Sequence, residues 1–533
     1  MTVRSMPRAT TVGVAVVLAV GGLVLPAAAI PQAPVPQAPA TPVVWRDCAA
    51  DQLTDVPPAE RFRFSCADYT VPLDHDRPGL GTINIALLRR AAGVPSARVG
   101  SIFVNPGGPG GPGTVLPLRA AGFLQASVLD RFDVVGFDPR GIGRSTAVRC
   151  FATQEDADAL QRRGTLIPRT PEQIHQTSAA RRDYARYCDR FAGPLLANMS
   201  TEAVARDLDL LRAGVGDEKL TYVGFSYGTF LGATYVNLFP QRARAIVLDG
   251  SVDPRLRASD GLAYDRQRTE GFEIALSAFL AECDRVGPLC AYSGGARAKY
   301  DASREYLKSR GPVTLPDGTF VDYERFVAAT GSFLYQRAYL ATFAELLQHL
   351  HLAIQPGQPR VAAEPRARLF ATGVSPRTDT RPDTPYTGED SYASVNCSDK
   401  PFTNRLSDVP GIADRWDRAM STFGRYGAWA DAATCPPWPA ADRYSGPWNR
   451  KTANPVLVVG NYYDPATRYD FAKRMAAQLG NARLVSVDAF GHCVLGESTC
   501  VDRITADYLI NLTAPAPGQV CAPDLPIFRA PVT

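Results

Sequence analysis

Leu220-Thr221-Tyr222-Val223-Gly224-Phe225-Ser226-Tyr227-Gly228-Thr229 begins as a hydrophobic run, closes on small residues around one serine, and continues into Phe230-Leu231-Gly232-Ala233. The pattern reads as a strand over Leu220 to Phe225, a tight turn, and a helix over Thr229 to Leu238. Glycines two residues either side of Ser226 remove the side chains that would collide in a turn strained enough to push the serine hydroxyl into a cleft. A Gly-x-Ser-x-Gly match alone is weak. The strand before it and the helix after it make it a nucleophile elbow and Ser226 a candidate nucleophile.

On either side of this segment the chain alternates short β-branched runs with longer amphipathic stretches, the rhythm of a mostly parallel sheet covered by helices on both faces. Strands are expected at Ile83 to Leu88, Ser101 to Asn105, Phe132 to Asp138, Ala245 to Asp249, Pro455 to Gly460 and Arg483 to Asp488, with a helix over Glu202 to Ala213. Several of these strands lack polar alternation, as strands buried on both faces do. After Asp253 the alternation stops. Helical segments such as Gly271 to Val286 and Phe326 to Ile354 follow, then a Pro-rich polar stretch from Gln355 to Thr387, until the strand pattern resumes at Pro455. A long insertion between two strands of one sheet reads as a cap over the strand ends. The expected division is a first core part over 43–253, a helical cap over 254–451 and a second core part over 452–533. Cys150 to Ala197 forms a smaller insertion.

A serine nucleophile needs a base, and the chain has only five histidines: His75, His175, His349, His351 and His492. His492 follows the strand Arg483 to Asp488 in Ala489-Phe490-Gly491-His492, where a loop at a strand's carboxyl end can aim an imidazole at Ser226. The third member is a carboxylate that holds the imidazole tautomer. Asp464, after the strand Pro455 to Gly460, gives the order Ser, Asp, His; Asp249 and Asp253 are the fallback. Donors for the developing oxyanion are expected in Asn105-Pro106-Gly107-Gly108-Pro109-Gly110-Gly111, from the backbone N–H of Gly107 or Gly108, together with that of Tyr227. A phosphate-cradling loop is excluded, because no Gly-Lys-Ser/Thr follows and the prolines lack amide hydrogens.

Basic residues number 57 and acidic ones 53, without long runs, which leaves no electrostatic footprint for nucleic acid. Arg4 and Arg8 precede an apolar stretch from Val12 to Leu25 that ends in Ala27-Ala28-Ala29. This reads as a signal peptide over 1–29; the stretch is shorter than the roughly 20 residues that span a bilayer, so stable membrane insertion is not expected. Residues 30–42 repeat Pro-Gln-Ala-Pro and read as an extended tether. The destination is outside the cytosol, either free or held at the cell envelope. There the eleven cysteines would pair and leave one over. Neighbouring positions propose Cys48 with Cys66, Cys150 with Cys188, Cys283 with Cys290, and Cys397 with Cys435. Cys493, Cys500 and Cys521 compete for one bond, with Cys500–Cys521 preferred because Cys493 adjoins the candidate base. No paired CxxC or CxxH spacing marks a metal site.

Asn105-Pro106-Gly107-Gly108-Pro109-Gly110, Phe137-Asp138-Pro139-Arg140-Gly141-Ile142-Gly143-Arg144-Ser145, Gly224-Phe225-Ser226-Tyr227-Gly228, Asn396-Cys397-Ser398-Asp399, Tyr463-Asp464-Pro465-Ala466-Thr467 and Gly491-His492 together resemble the secreted tripeptidyl aminopeptidases and their prolyl aminopeptidase-like relatives among the α/β-hydrolases. The likeness covers nearly all of the chain after residue 42. It implies an α/β-hydrolase core with a helical cap, and release of short peptides from free amino termini without metal or organic cofactor. One departure is Cys493, where relatives usually carry glycine. An exopeptidase of this kind must pair its substrate's desolvated ammonium with an anion. Glu389, Asp390 and Asp399 are the candidates, with Asp399 preferred. A carboxylesterase or lipase could use the same triad under a different cap, and a binding module could use the same scaffold without catalysis.

Overall fold

The computed structural model describes residues 41–315, 318–355, 386, 390–439 and 441–529. The expected signal peptide, nearly all of the expected tether and most of the Pro-rich stretch lie outside the described residues.

Eleven strands occur among the described residues: β1 (Phe64–Pro72), β2 (Thr82–Arg90), β3 (Gly100–Asn105), β4 (Phe132–Phe137), β5 (Leu220–Phe225), β6 (Ala243–Asp249), β7 (Val313–Thr314), β8 (Phe320–Val321), β9 (Val456–Tyr463), β10 (Ala482–Phe490) and β11 (Val520–Cys521). Nine form one sheet in the order β1-β2-β4-β3-β5-β6-β9-β10-β11. β1 and β2 are antiparallel and β2 meets β4 antiparallel; every later pairing is parallel. The central strands are apolar on both sides because helices cover both faces. Ile102, Phe103, Val104, Val134 and Val135 have no exposed surface, and each such side chain contributes roughly 1.5–3 kcal/mol relative to water.

The parallel register aligns the carboxyl ends. Asn105 pairs with Gly224, Phe225 with Asp249, and Asp249 with Val459, while Tyr463 pairs with Phe490. The Gly-rich loop after β3, the elbow after β5, Asp464 after β9 and His492 after β10 therefore leave the sheet at one edge, where ligands bind in open parallel sheets.

Between β6 and β9 the chain runs through the helices Gly261–Val286, Ala296–Ser309, Tyr323–Tyr335, Leu340–Ala353, Asp390–Asp399 and Val409–Ala419. Leu276, Phe279, Phe326, Phe333, Phe343 and Leu347 pack there into a cluster of their own. The helical stretch expected over Phe326 to Ile354 is two helices: the first ends at Tyr335, and a 3-10 turn at Arg337–Tyr339 starts the second. The helix Gly261–Val286 begins ten residues before the expected Gly271, because Asp260 caps it by accepting from Ala263 N.

Cys48–Cys66, Cys150–Cys188, Cys283–Cys290, Cys397–Cys435 and Cys500–Cys521 are bonded, and Cys493 is free. Chain entropy makes each of these crosslinks worth roughly 2–4 kcal/mol. No helix among the described residues is long and apolar enough to cross a membrane.

Candidate active site

Ser226 stands between β5 and the helix Tyr227–Leu238 with φ 55° and ψ −124°, a backbone state that costs a non-glycine residue about 1–3 kcal/mol. Its neighbours hold it there. Ser226 N donates to Asp249 O at 2.9 Å, and its carbonyl accepts from Thr229 N at 2.9 Å and Thr229 Oγ1 at 2.6 Å. A Cβ on Gly224 would lie 2.5 Å from Gly228 O, and one on Gly228 would lie 2.8 Å from Asn105 O. Both glycines are steric requirements of the turn.

His492 sits between two left-handed residues, Gly491 (φ 90°) and Cys493 (φ 65°). Asn461 Nδ2 donates to the carbonyls of Gly491 (3.2 Å) and Cys493 (2.9 Å), gripping the loop on both sides of the imidazole. From the insertion, Tyr335 O accepts from His492 N at 2.8 Å, and the Tyr335 ring meets the imidazole edge-on with centroids 5.2 Å apart.

Nδ1 of His492 lies 2.9 and 3.0 Å from the two carboxylate oxygens of Asp464. Asp464 is buried, its Oδ1 accepting from Ala466 N and Thr467 N, its Oδ2 from Thr467 Oγ1. Nε2 of His492 is buried and has no hydrogen-bond partner among the described residues. Its side of the ring lies against the end of β6, since a Cβ on Gly250 would be 3.1 Å from His492 Cε1, and Asp249, one residue earlier, holds the Ser226 amide. The Ser226–His492 hydrogen bond is not formed in this structure; catalytic hydrogen bonds of this kind commonly tighten only when substrate binds.

The fallback acids lie elsewhere. Asp253 caps the helix Pro254–Ser259 and pairs with Arg474 at 2.8 Å. Asp249 Oδ2 accepts from Val494 N and Leu495 N, both at 2.9 Å, and its Oδ1 is buried without a partner among the described residues. It anchors the loop beyond His492. Burial pushes its carboxyl up to about 6. A raised carboxyl pKa makes the native state hold a proton that the unfolded chain has released, so stability falls as pH rises from about 4 to 6. The gap of about two units corresponds to about 3 kcal/mol. Asp249→Asn is therefore expected to flatten the urea-unfolding free energy across pH 4–6 relative to the parent chain; parallel pH profiles for the two would contradict this.

Gly108, Ser226 and Tyr227 line one small pocket. Of the two glycines expected as alternative donors, Gly107 has its N–H committed to Asn105 Oδ1 at 3.0 Å. It is a glycine for packing: a Cβ on it would lie 2.4 Å from Phe225 O and 2.9 Å from Ser226 Cβ. Gly108 and Tyr227 both border Ser226 in that pocket.

The expected role of Asp399 also fails. Its oxygens accept from Thr201 N (2.8 Å) and Thr201 Oγ1 (2.6 Å) and face Arg257 at 3.6 Å, all in the interior. The helical register turns this carboxylate away from the cavity. Glu389 lies outside the described residues. Asp390 is occupied by Tyr184 OH, Tyr386 OH and Cys150 N.

A cavity of about 740 Å³ lies under the inserted helices, and Arg268, Tyr335, Tyr392 and Asp431 belong both to its wall and to the small pocket at Ser226. The two therefore adjoin across these four side chains. Sequence reasoning missed Asp265, which lines it: Oδ1 takes Lys400 Nζ at 2.7 Å, while Oδ2 is buried with no partner among the described residues. Asp431 holds the same lysine from the other side. Nothing in the sequence around Asp265, which lies inside a helix, distinguishes it from a solvated acid.

Comparison with known proteins agrees with this geometry. Residues 100–283 match the α/β-hydrolase fold family, and residues 419–521 match a family described as TAP-like protein. The chain is 31% identical over 491 residues to serine protease Hip1 of Mycobacterium tuberculosis, covering 90% of this chain and 91% of that one. It is 29% identical to the tripeptidyl aminopeptidase of Streptomyces lividans, over 90% of this chain and 86% of that one. It is also 32% identical to carboxylesterase B of Mycobacterium tuberculosis, over 86% of each chain. With its strand order, its serine elbow and these relatives along nearly its whole length, the chain belongs to the tripeptidyl aminopeptidase-like family of α/β-hydrolases.

Proposed function

We propose that the protein is an exported serine exopeptidase that releases short peptides, tripeptides in the first instance, from free amino termini, with the helical segment 254–451 as its cap. The observation that carries this reading is the cavity of about 740 Å³ that adjoins the Ser226 pocket and is lined by an acid with an uncommitted buried oxygen, Asp265. Peptidase relatives support the chemistry, and the amino-terminal pattern and five disulfides support export.

In the proposed reaction the Ser226 hydroxyl gives its proton to His492 Nε2 as Oγ bonds to the scissile carbonyl carbon. The carbonyl π pair moves onto oxygen, which accepts hydrogen bonds from Gly108 N–H and Tyr227 N–H. Collapse breaks the C–N bond, and His492 returns the proton to the departing amine. Water then repeats the sequence on the ester, regenerating Ser226 and releasing the peptide acid. Asp464 holds Nδ1 protonated throughout and compensates the imidazolium charge.

Asp265 Oδ2 is the proposed partner of the substrate ammonium, which would satisfy an oxygen that burial otherwise penalises; burial already pushes this carboxyl above its ordinary value. Asp265→Asn is expected to raise KM about 10- to 100-fold on a tripeptidyl anilide with a free amine, and to leave an amine-blocked acyl ester unchanged. Equal losses on both substrates would reject the assignment. The relative named carboxylesterase B supports a second reading, in which short acyl esters are the natural substrates; faster turnover of the blocked ester than of the free tripeptidyl anilide by the parent enzyme would favour it.

A further inference from the structure

Asn396 belongs to the helix Asp390–Asp399, which lies against the Gly-rich loop after β3: a Cβ on Gly110 would stand 3.0 Å from Ser391 Oγ and 3.3 Å from Tyr392 N. Tyr392 and Asn396, four residues apart, share one helical face. Both line the small pocket that also contains Gly108, Ser226 and Tyr227.

Asn396 is 2% exposed, and its Oδ1 accepts from Arg257 Nη2 at 2.7 Å. A guanidinium only donates, so the atom facing it is the oxygen, and this fixes which way the amide points. The opposite atom, Nδ2, is buried and has no hydrogen-bond partner among the described residues. Leaving such a donor unsatisfied normally costs about 1–3 kcal/mol, a penalty that persists at functional sites when a ligand is the missing partner.

Arg257 is itself fixed. Its guanidinium lies over the rings of Tyr227, Phe230 and Tyr264 at 5.2–5.5 Å and faces Asp399 at 3.6 Å. Asp399 is tied to Thr201, whose hydroxyl also meets Tyr227 OH. Asp399, Arg257 and Asn396 therefore form a chain that ends in one amide NH₂ beside the candidate nucleophile.

We propose that Asn396 Nδ2 is a third donor to the acyl carbonyl oxygen as it becomes the oxyanion, beside the backbone N–H groups of Gly108 and Tyr227. Arg257 and Asp399 are positioning residues for it. The proposal rests on the reading that Ser226 is the residue acylated.

The test uses the full chain with Asn396→Asp, which keeps the acceptor for Arg257 but replaces the donor by an oxygen, and Asn396→Ala. Four quantities are measured for each: kcat and KM on a peptidyl anilide, affinity for a peptidyl trifluoromethyl ketone, whose adduct on serine is an oxyanion, and affinity for the released peptide acid. Both variants are expected to lose about 100-fold in kcat with KM within about twofold, the loss typical of one oxyanion donor. Ketone affinity should fall by the same factor, with product affinity unchanged. A kcat within about threefold of the parent in either folded variant would overturn the proposal. So would equal losses for ketone and product, which indicate a general collapse of the pocket. If Asn396→Ala fails to fold, Asn396→Asp alone decides. The parent enzyme separates the two claims: no ketone adduct on Ser226 would refute the underlying reading, whereas an adduct that the variants bind as tightly refutes only the role of Asn396.

Discussion

Ser226→Ala is expected to lower kcat by about 10⁶-fold and to abolish labelling by a fluorophosphonate, with the thermal unfolding midpoint little changed. The size of the loss follows from what remains. Gly108 and Tyr227 N–H groups and the cavity would still bind a substrate, and His492 and Asp464 would still be joined, but no oxygen would stand at the head of the helix Tyr227–Leu238. The small effect on stability follows from how the turn is held. Ser226 N to Asp249 O, and the two bonds from Thr229 to the Ser226 carbonyl, involve only backbone atoms of residue 226. Steady-state kinetics and gel fluorescence after labelling check both parts; a variant retaining more than about a hundredth of parental kcat would assign the nucleophile elsewhere.

Asp464→Asn is expected to cost about 10⁴ in kcat with the imidazole still in place. Ala466 N and Thr467 N both donate to Asp464 Oδ1, so an asparagine must set its oxygen there. Its NH₂ then occupies the Oδ2 position, 2.9 Å from His492 Nδ1, and donates to that nitrogen. The imidazole proton is forced onto Nε2, the atom that must accept the serine proton. KM should change far less than kcat, because none of these atoms lines the large cavity. A loss below about tenfold would mean that another carboxylate orients the base. Asp249 is the fallback, and its Oδ2 accepts from Val494 N and Leu495 N instead.

How far the sequence could carry this account depended on whether a feature was local. The segment Leu220–Phe225 is an apolar run buried on both faces, and its strand bounds coincide with those read from the residues. The residue order Ser, Asp, His along a parallel sheet places all three at the same edge, so their meeting followed from topology. β1 was not foreseen, because Phe64–Pro72 alternates buried and exposed positions at the antiparallel margin and includes Asp68 and Pro72. The break between Tyr335 and Leu340 carries no glycine or proline. It frees the Tyr335 carbonyl for His492 N, a contact between residues more than 150 positions apart.

Direction of side chains was the main loss. Asp399 and Asn396 lie one helical turn apart in a family-like stretch and both meet Arg257, yet only Asn396 lines the pocket with Ser226. Likewise nothing local to Gly107-Gly108 shows that the Asn105 side chain takes the first amide and leaves the second.

Trapping the acyl-enzyme shows which residue is acylated. The parent protein is incubated with a tripeptidyl p-nitrophenyl ester, quenched in acid and digested, and the adduct is located by mass spectrometry. One tripeptidyl increment is expected, on the peptide containing Ser226. An increment on Cys493, the free thiol beside His492, or continued turnover with no increment at Ser226, would contradict it.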